Sequence, residues 1–314
     1  MAQRSGPLRR PLTPPAKGFI YQHVEDSDFP AIFQAADRSA ITGQRRLLRS
    51  TGLRLICLVA AAAFGAFSLD AGQVDIAAVI AAASLAFALV IEVYLLTARP
   101  DRQWYEARAV AESTKTLAWR YVVAGEPFGH KEHITDHSAD LLLLRRFTTI
   151  ARDLRSFAPI PLSDGDSQVT ETMRRLRALP LDERKRQYLE GRIDDQRIWY
   201  RRKAALNERR ASQWSVTLAA LEALGLVAAV LNGAQVLDLD LPGVVGAIGA
   251  AGIAWMQTRQ HQQLASAYSV AALELGDIVS RAEWPSTEEE WAHFVDEAEE
   301  AISREHVLWW ASHS

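Results

Sequence analysis

The stretch IAAVIAAASLAFALVIEVYLLT, residues Ile76–Thr97, decides the fold class. It holds 22 residues and one charge, Glu92. A bilayer-spanning helix needs about 20 predominantly apolar residues, within a range of about 17–25, and this stretch supplies them. Just upstream, Leu53–Leu69 is a second apolar run, broken only by Arg54 at its start. The six residues Asp70-Ala-Gly-Gln-Val-Asp75 separate the two runs. So short a connection predicts a transmembrane helical hairpin.

A second pair lies more than a hundred residues later. Trp214–Leu231 carries one charge, Glu222, and Leu241–Met256 carries none. These runs are short enough to suit two buried core helices of a soluble bundle as well. Trp214 and Trp255 favour the membrane, because both stand at the same end of their hairpin, where aromatic belts form. The whole-chain averages hide this clustering: 314 residues, 49% hydrophobic, 23% charged, mean hydropathy −0.07. A net charge of −3, from 35 basic and 38 acidic residues, gives no support to a nucleic-acid partner. The single cysteine, Cys57, excludes an internal disulfide and a Cys-based zinc cage. Within a membrane span it reads as a small packing residue. Residues 1–17 have basic charge and four prolines but no following apolar core. They are expected to be a disordered cytosolic tail and not a secretory signal.

Basic residues fix the expected orientation. Arg45, Arg46, Arg49 and Arg54 precede the first pair, and Arg99 and Arg102 follow it. Arg201, Arg202, Lys203, Arg209 and Arg210 precede the second pair, and Arg259 follows it. The tight connections carry Asp70, Asp75, Asp238 and Asp240 instead, with no Lys or Arg. Positive charge stays inside, so both termini and the long middle region are expected in the cytoplasm. The same basic runs suit lipid headgroups better than nucleic acid.

The remainder reads as helix. Asp101–Ala124 is expected to continue the second span and to end at Gly125-Glu126-Pro127. Lys131–Phe157 follows, then a loop at Ser163–Ser167, a short helix ending at Pro180, and one long helix from Leu181 into Trp214. The last part continues the fourth span to about Arg281, breaks at Pro285 and restarts, with Ser286 and Glu289 as a capping box. No alternating strand pattern is present. The fold class is therefore an all-α membrane protein: two transmembrane hairpins, four spans, and long cytoplasmic helical extensions. The expected units are 18–160 and 181–314, joined by a linker at 161–180. An ungapped offset of 164 lays Ala40–Arg46 over Ala204–Arg210 and Trp104-Tyr105 over Tyr268-Ser269. Both copies keep one orientation. This makes the repeat parallel, unlike the inverted repeats of many alternating-access transporters.

All four spans are rich in small residues, including Gly243, Gly246, Gly249 and Gly252 in the last. Small faces let helix backbones approach closely in lipid. A compact four-helix monomer and a homo-oligomer both remain open. Counting from the first turn puts Arg54 and Glu92 at equal depth, so they are expected to form a structural intramembrane pair. Glu222, set level with Gly252 and Ile253 by the same count, has no such partner. It must face water, face another subunit or carry a proton, which makes it the candidate pore-lining residue. The sequence has no GxGxxG, Walker A, nucleophile elbow or HExxH. His133 and His137, four apart, could share a helix face and bind metal, or stand in a solvated first turn. Ser303-Arg-Glu-His306 makes no triad. No metal, cofactor or catalytic residue is expected, so the chain does not read as an enzyme.

Tyr188-Leu-Glu-Gly-Arg192, Gln196-Arg-Ile-Trp-Tyr200, Lys203-Ala204, Ala265-Ser-Ala-Tyr268, Trp291-Ala-His-Phe294 and Ile302-Ser-Arg-Glu-His306 with Trp309 carry a resemblance. They resemble the SLATT family, two-transmembrane domains associated with SMODS nucleotidyltransferases and SLOG nucleotide sensors. The earlier half, with Arg102-Gln-Trp-Tyr105, Ala109, Glu112, Lys115 and Trp119-Arg-Tyr121, is similar to a related subfamily. Two tandem copies would cover nearly everything after the N-terminal tail. The resemblance implies a pore-forming or membrane-perturbing effector of bacterial conflict and immunity, in the inner membrane. Its partners would be the lipid bilayer, further copies of itself, and a nucleotide-sensing or nucleotide-synthesising protein. The rival is a non-conducting membrane anchor whose cytoplasmic helices dock a partner enzyme. The family offers no catalytic residues, and this chain has no nucleotide-binding motif of its own.

Overall fold

The computed structural model describes residues 24–130, 135–153, 167–236 and 241–311. The first long helix, α1 (Ala31–Gly65), starts after Pro30, which suits a helix entry because it needs no N–H. Its orphan first donors reach across the chain: Ala31 N–H donates to Ser167 O (3.3 Å) and Ile32 N–H to Gln168 Oε1 (3.3 Å). At about 1.5 Å per residue, its 35 residues outrun a bilayer of about 30 Å. Its first turns accordingly bury Ile32, Phe33 and Ala36 in an extramembrane core, and its far end is span.

A two-stranded antiparallel ribbon, β1 (Asp70–Ala71) and β2 (Val74–Asp75), closes the first hairpin, with Asp70 opposite Asp75. Gly72 takes φ 70°, the left-handed geometry its turn requires. The second span, α2 (Ile76–Ala98), is capped by Asp75, whose Oδ1 accepts from Ala77 N–H (2.9 Å) and Ala78 N–H (3.3 Å). The helix expected to run on unbroken past Asp101 is interrupted. Arg99 adopts φ 42° and α3 (Pro100–Val122) restarts after it. Proline removes a helix donor and disfavours helical geometry in the residue before it.

The middle region holds α4 (Asp136–Asp153), α5 (Glu171–Arg177) and α6 (Leu181–Tyr188). A π-helical turn at Leu189–Asp194 joins α6 to α7 (Asp195–Gly233), so the rod expected from Leu181 is continuous but carries one wider turn. Within that turn, a Cβ on Gly191 would lie 3.2 Å from Trp119 Cη2, so glycine gives the indole room. The fourth span, α8 (Leu241–Arg259), breaks at Gln260 (φ 49°) before α9 (His261–Arg281). This repeats the Arg99 break without a proline. The two left-handed residues are 161 positions apart, not 164. The proposed overlay of Trp104-Tyr105 on Tyr268-Ser269 therefore fails. The last helix, α10 (Glu288–Ala311), is capped one residue later than expected. Glu290, not Glu289, accepts from Ser286 and Thr287 N–H, while Thr287 Oγ1 accepts from Glu290 N–H (3.2 Å).

The four spans form a row. α1 packs on α2, α8 packs on α7, and α1 packs on α8, which leaves α2 and α7 as the outer members. The spans' side chains face outward: Leu96 is 68% exposed and Val216 and Leu226 are each 67% exposed. α8 buries none of its residues, so the second pair is not the core of a soluble bundle. A continuous apolar surface of this kind belongs in lipid. The chain is an all-α, multi-pass membrane protein. Its buried core lies outside the spans, where Trp119, Tyr121, Phe128, Leu143, Tyr188 and Trp291 meet.

Candidate functional site

Two sets of polar residues stand out, one within the spans and one where the extramembrane helices meet. In the first hairpin Arg54 Nη1 lies 2.7 Å from Glu92 Oε2, with each side chain 36% exposed. Arg54 and Glu92 are thus in contact near the end of the hairpin remote from the ribbon. In the ribbon, Asp75 accepts from Leu69 N–H (3.0 Å) as well as from the α2 N-terminus. The Leu69 N–H foremost, with those of Ala78 and Ala77, holds its carboxyl below the ordinary value. Its charge is therefore engaged with the helix dipole. Asp70 is its cross-strand neighbour. Asp238 and Asp240 lie outside the described residues.

Glu222 stands on the exposed side of α7, beside the stripe Trp214, Leu218, Leu221 and Gly225 that faces α8. A Cβ on Gly252 would meet Leu218 Cδ2 at 2.7 Å, one on Gly249 would meet Leu221 Cδ2 at 3.8 Å, and one on Gly225 would meet Val245 Cγ1 at 3.1 Å. This register sets Glu222 level with Ile248, about one helical turn from the expected Gly252 and Ile253. The turn begins earlier than counted, at Ala234, with Gln235 at φ 56°. No ion pair or hydrogen bond reaches Glu222 among the described residues.

Outside the spans, Glu299 of α10 is fully buried against Arg192 of the π-helical turn. Arg192 Nε donates to Glu299 Oε1 (3.0 Å) and Nη2 to Oε2 (2.9 Å), a bidentate pair. Tyr188 OH donates to Oε1 (3.1 Å) and Thr116 Oγ1 to Oε2 (2.9 Å). Burial disfavours the charge on Arg192, but Glu299 outweighs it and raises the guanidinium's pKa. Burial, and then Glu299, push the Tyr188 phenol well above its usual value. Two more arginines are 2% exposed. Arg184 donates to Val123 O (2.8 Å) and Leu179 O (3.0 Å) and pairs with Glu288. Arg177 donates to Tyr121 O (2.9 Å) and pairs with Asp136 (3.3 Å). Trp291 Nε1–H donates to the same Val123 carbonyl (2.8 Å) as Arg184.

His137 lines an open cleft of about 350 Å³ with Asp136, Asp140, Arg174, Arg177 and Tyr121. Arg174 Nε lies 3.1 Å from Asp140, so the cleft's two carboxylates each face an arginine. His133 lies outside the described residues. Among the described residues no three His, Cys, Asp or Glu side chains converge in a way that could hold a metal.

Two family models match the chain. SMODS and SLOG-associating 2TM effector domain 3 matches residues 30–185, and SMODS and SLOG-associating 2TM effector domain 1 matches residues 188–309. The chain belongs to the SLATT family. It carries two SLATT domains in tandem, each a two-transmembrane effector domain. No curated protein and no solved structure matches it.

The two SLATT matches meet beside the π-helical turn, and the buried polar network straddles that border. Thr116, Tyr121 and Val123 belong to the first SLATT domain, while Arg192, Glu299 and Trp291 belong to the second. Sequence reasoning missed this network because it took Tyr188, Arg192 and Trp291 only as residues of the family resemblance and gave Arg177, Arg184 and Glu299 no role. A signal was present: Arg184, Tyr188 and Arg192 are four apart along one rod, with an aromatic between two cations on one face.

Proposed function

We propose that this tandem SLATT chain is a pore-forming or membrane-perturbing effector of a bacterial conflict system, triggered by a nucleotide-dependent partner. It sits in the inner membrane with both termini and the helical body in the cytoplasm, and several copies assemble around a lumen. The observation that carries this reading is Glu222. An ionised carboxylate at mid-span on the outer helix of an open row is costly against lipid. A second copy or a water-filled lumen supplies the missing partner. The row geometry agrees, since α2 and α7 leave two unlike edges that can join head to tail into a closed ring. Asp70 and Asp75 at the turn, together with Asp238 and Asp240, would give such a ring an acidic outer mouth favouring cations. Arg54 and Glu92 are structural in this reading.

The test is membrane potential, followed with a dye in cells expressing the chain at high level or with its activated partner. Wild type should depolarise the membrane, and Glu222→Gln, matched in abundance, should do so less. An unchanged potential with wild type and an activated partner rejects the pore.

The anchor reading has its own observation. Leu273 and Val270 on α9, 74% and 52% exposed, and Trp284 in the turn after it, 74% exposed, leave apolar surface outside the spans of the second unit. If they dock an enzyme, Leu273→Ser should abolish co-purification of that enzyme and leave membrane potential untouched.

A further inference from the structure

Arg210, Arg259 and His261 converge where the second hairpin leaves the membrane. The α7–α8 register sets Arg210 level with Gln260, between Arg259 and His261. The Arg259 guanidinium lies over the Trp255 ring, 5.9 Å from its centroid. Trp255 in turn fills the space beside Gly52, where a Cβ would stand 3.5 Å from Trp255 Cζ3. Arg259 therefore stands beside the seam where α1 of the first hairpin meets α8 of the second, and Arg210 stands at the same level on α7. His261 is buried, with Nδ1 2.7 Å from Asn207 Oδ1.

Among the described residues no carboxylate forms an ion pair with Arg210 or Arg259. The charge acting on Arg259 is Arg210, and the charges acting on His261 are Arg259 and Arg210. Glu208, the carboxylate nearest to Arg210 in sequence, is exposed and acts on neither. Elsewhere Arg54 meets Glu92 (2.7 Å), Arg102 meets Glu106 (2.9 Å), and Arg108 meets Glu112. Two guanidiniums at one level, one over an indole and half-buried, repel each other, and an anion between them relieves that repulsion. Their planar forks suit phosphate oxygens. Their depth is that of a headgroup, at the end of a span whose exposed Ile248 and Ile253 continue into the bilayer.

We propose that this pair of arginines binds the phosphate of an anionic phospholipid, held between Arg210 and Arg259, with the acyl chains lying along the spans. The site is independent of conduction, and an anchor would carry it equally. The test uses the purified full chain in a neutral detergent, with thermal unfolding as the readout. Added phosphatidylglycerol should raise the midpoint by roughly 2–4 °C, while phosphatidylcholine and inorganic phosphate should leave it unmoved. Arg210→Gln with Arg259→Gln should lose the shift. The Arg210→Lys, Arg259→Lys pair should keep most of it, since lysine still binds phosphate as a point charge. Arg201→Gln with Arg202→Gln, which removes two exposed arginines elsewhere on α7, should keep all of it. An equal shift with phosphatidylcholine or inorganic phosphate overturns the assignment. So does a shift that survives the double Gln variant, is lost from the double Lys variant, or is lost from the Arg201/Arg202 control.

Discussion

Glu299 holds together residues that lie far apart in the chain. Its two oxygens take a bidentate arginine, a phenol and a threonine hydroxyl, and none of these groups reaches water. Removing one partner of a buried pair leaves the other charge stranded, which costs about 3–5 kcal/mol. Glu299→Ala should destabilise the extramembrane body by that amount, as read by chemical denaturation in detergent. An Arg192→Met, Glu299→Leu double variant should recover much of the loss, because two apolar groups of similar volume can replace an ion pair without stranding a charge. The Arg54–Glu92 contact is a different case, because both groups are one-third exposed and stand within a span. Neutralising either one should destabilise by about 1–3 kcal/mol, less than the fully buried pair. Neutralising both should restore stability. A double variant as unstable as the sum of the singles would show that the charges are uncoupled.

At the level of helices, glycine positions separate packing from free surface. A Cβ on Gly43 would stand 2.9 Å from the Trp104 backbone nitrogen, and backbone cannot step aside. Gly43→Ala should therefore force α1 away from α3 and cost about 1–3 kcal/mol. Gly246 has nothing within 4 Å of the same point, so Gly246→Ala should leave the folded monomer's thermal midpoint unchanged. The start of α10 gives a pH dependence. The backbone N–H of Ser286 foremost, with its hydroxyl and the Thr287 N–H, holds the exposed Glu290 carboxyl below its ordinary value. Its folded pKa is depressed, so the cap's contribution is complete above the unfolded value of about 4.3 and is lost as pH falls through the folded one. Melts of wild type should weaken across that window, and those of Glu290→Gln should be flatter. The spans were legible in the sequence because hydrophobic length and charge asymmetry are local signals. The breaks at Arg99 and Gln260 were not read, though Pro100 marked the first. Gln260 has no such marker; the helices on either side of it, α8 and α9, both pack on α7. Arg54 and Glu92 were legible by counting from a turn, whereas the depth of Glu222 was off by a turn because the second connection's start carries no proline and no strand.

For the molecule as a whole, the row of spans places one inner and one outer helix from each unit. With Cys57 replaced, cysteines at Gln73 and Ala234 should label from outside the cell and one at Ser138 should not. Labelling of Ser138 from outside reverses the orientation drawn from the arginines. Size and charge should be linked as well. If Glu222 faces other copies, Glu222→Lys should abolish assembly, as followed by the mass of the detergent-solubilised particle. An oligomer unchanged by that substitution would move the contact elsewhere on the row. One consequence of the buried network concerns the order of synthesis. The carboxylate that Thr116 meets is made 183 residues later. At about 5–20 residues per second, the ribosome needs on the order of 10–40 s to deliver it. During that interval the first hairpin is already threaded into the bilayer, while Thr116, Trp119 and the Val123 carbonyl wait beside the exit tunnel without their lids. A nascent chain stalled before α10 would be an open substrate for proteases and chaperones. Premature termination should therefore lead to clearance, and a half-built membrane-active fragment should not accumulate.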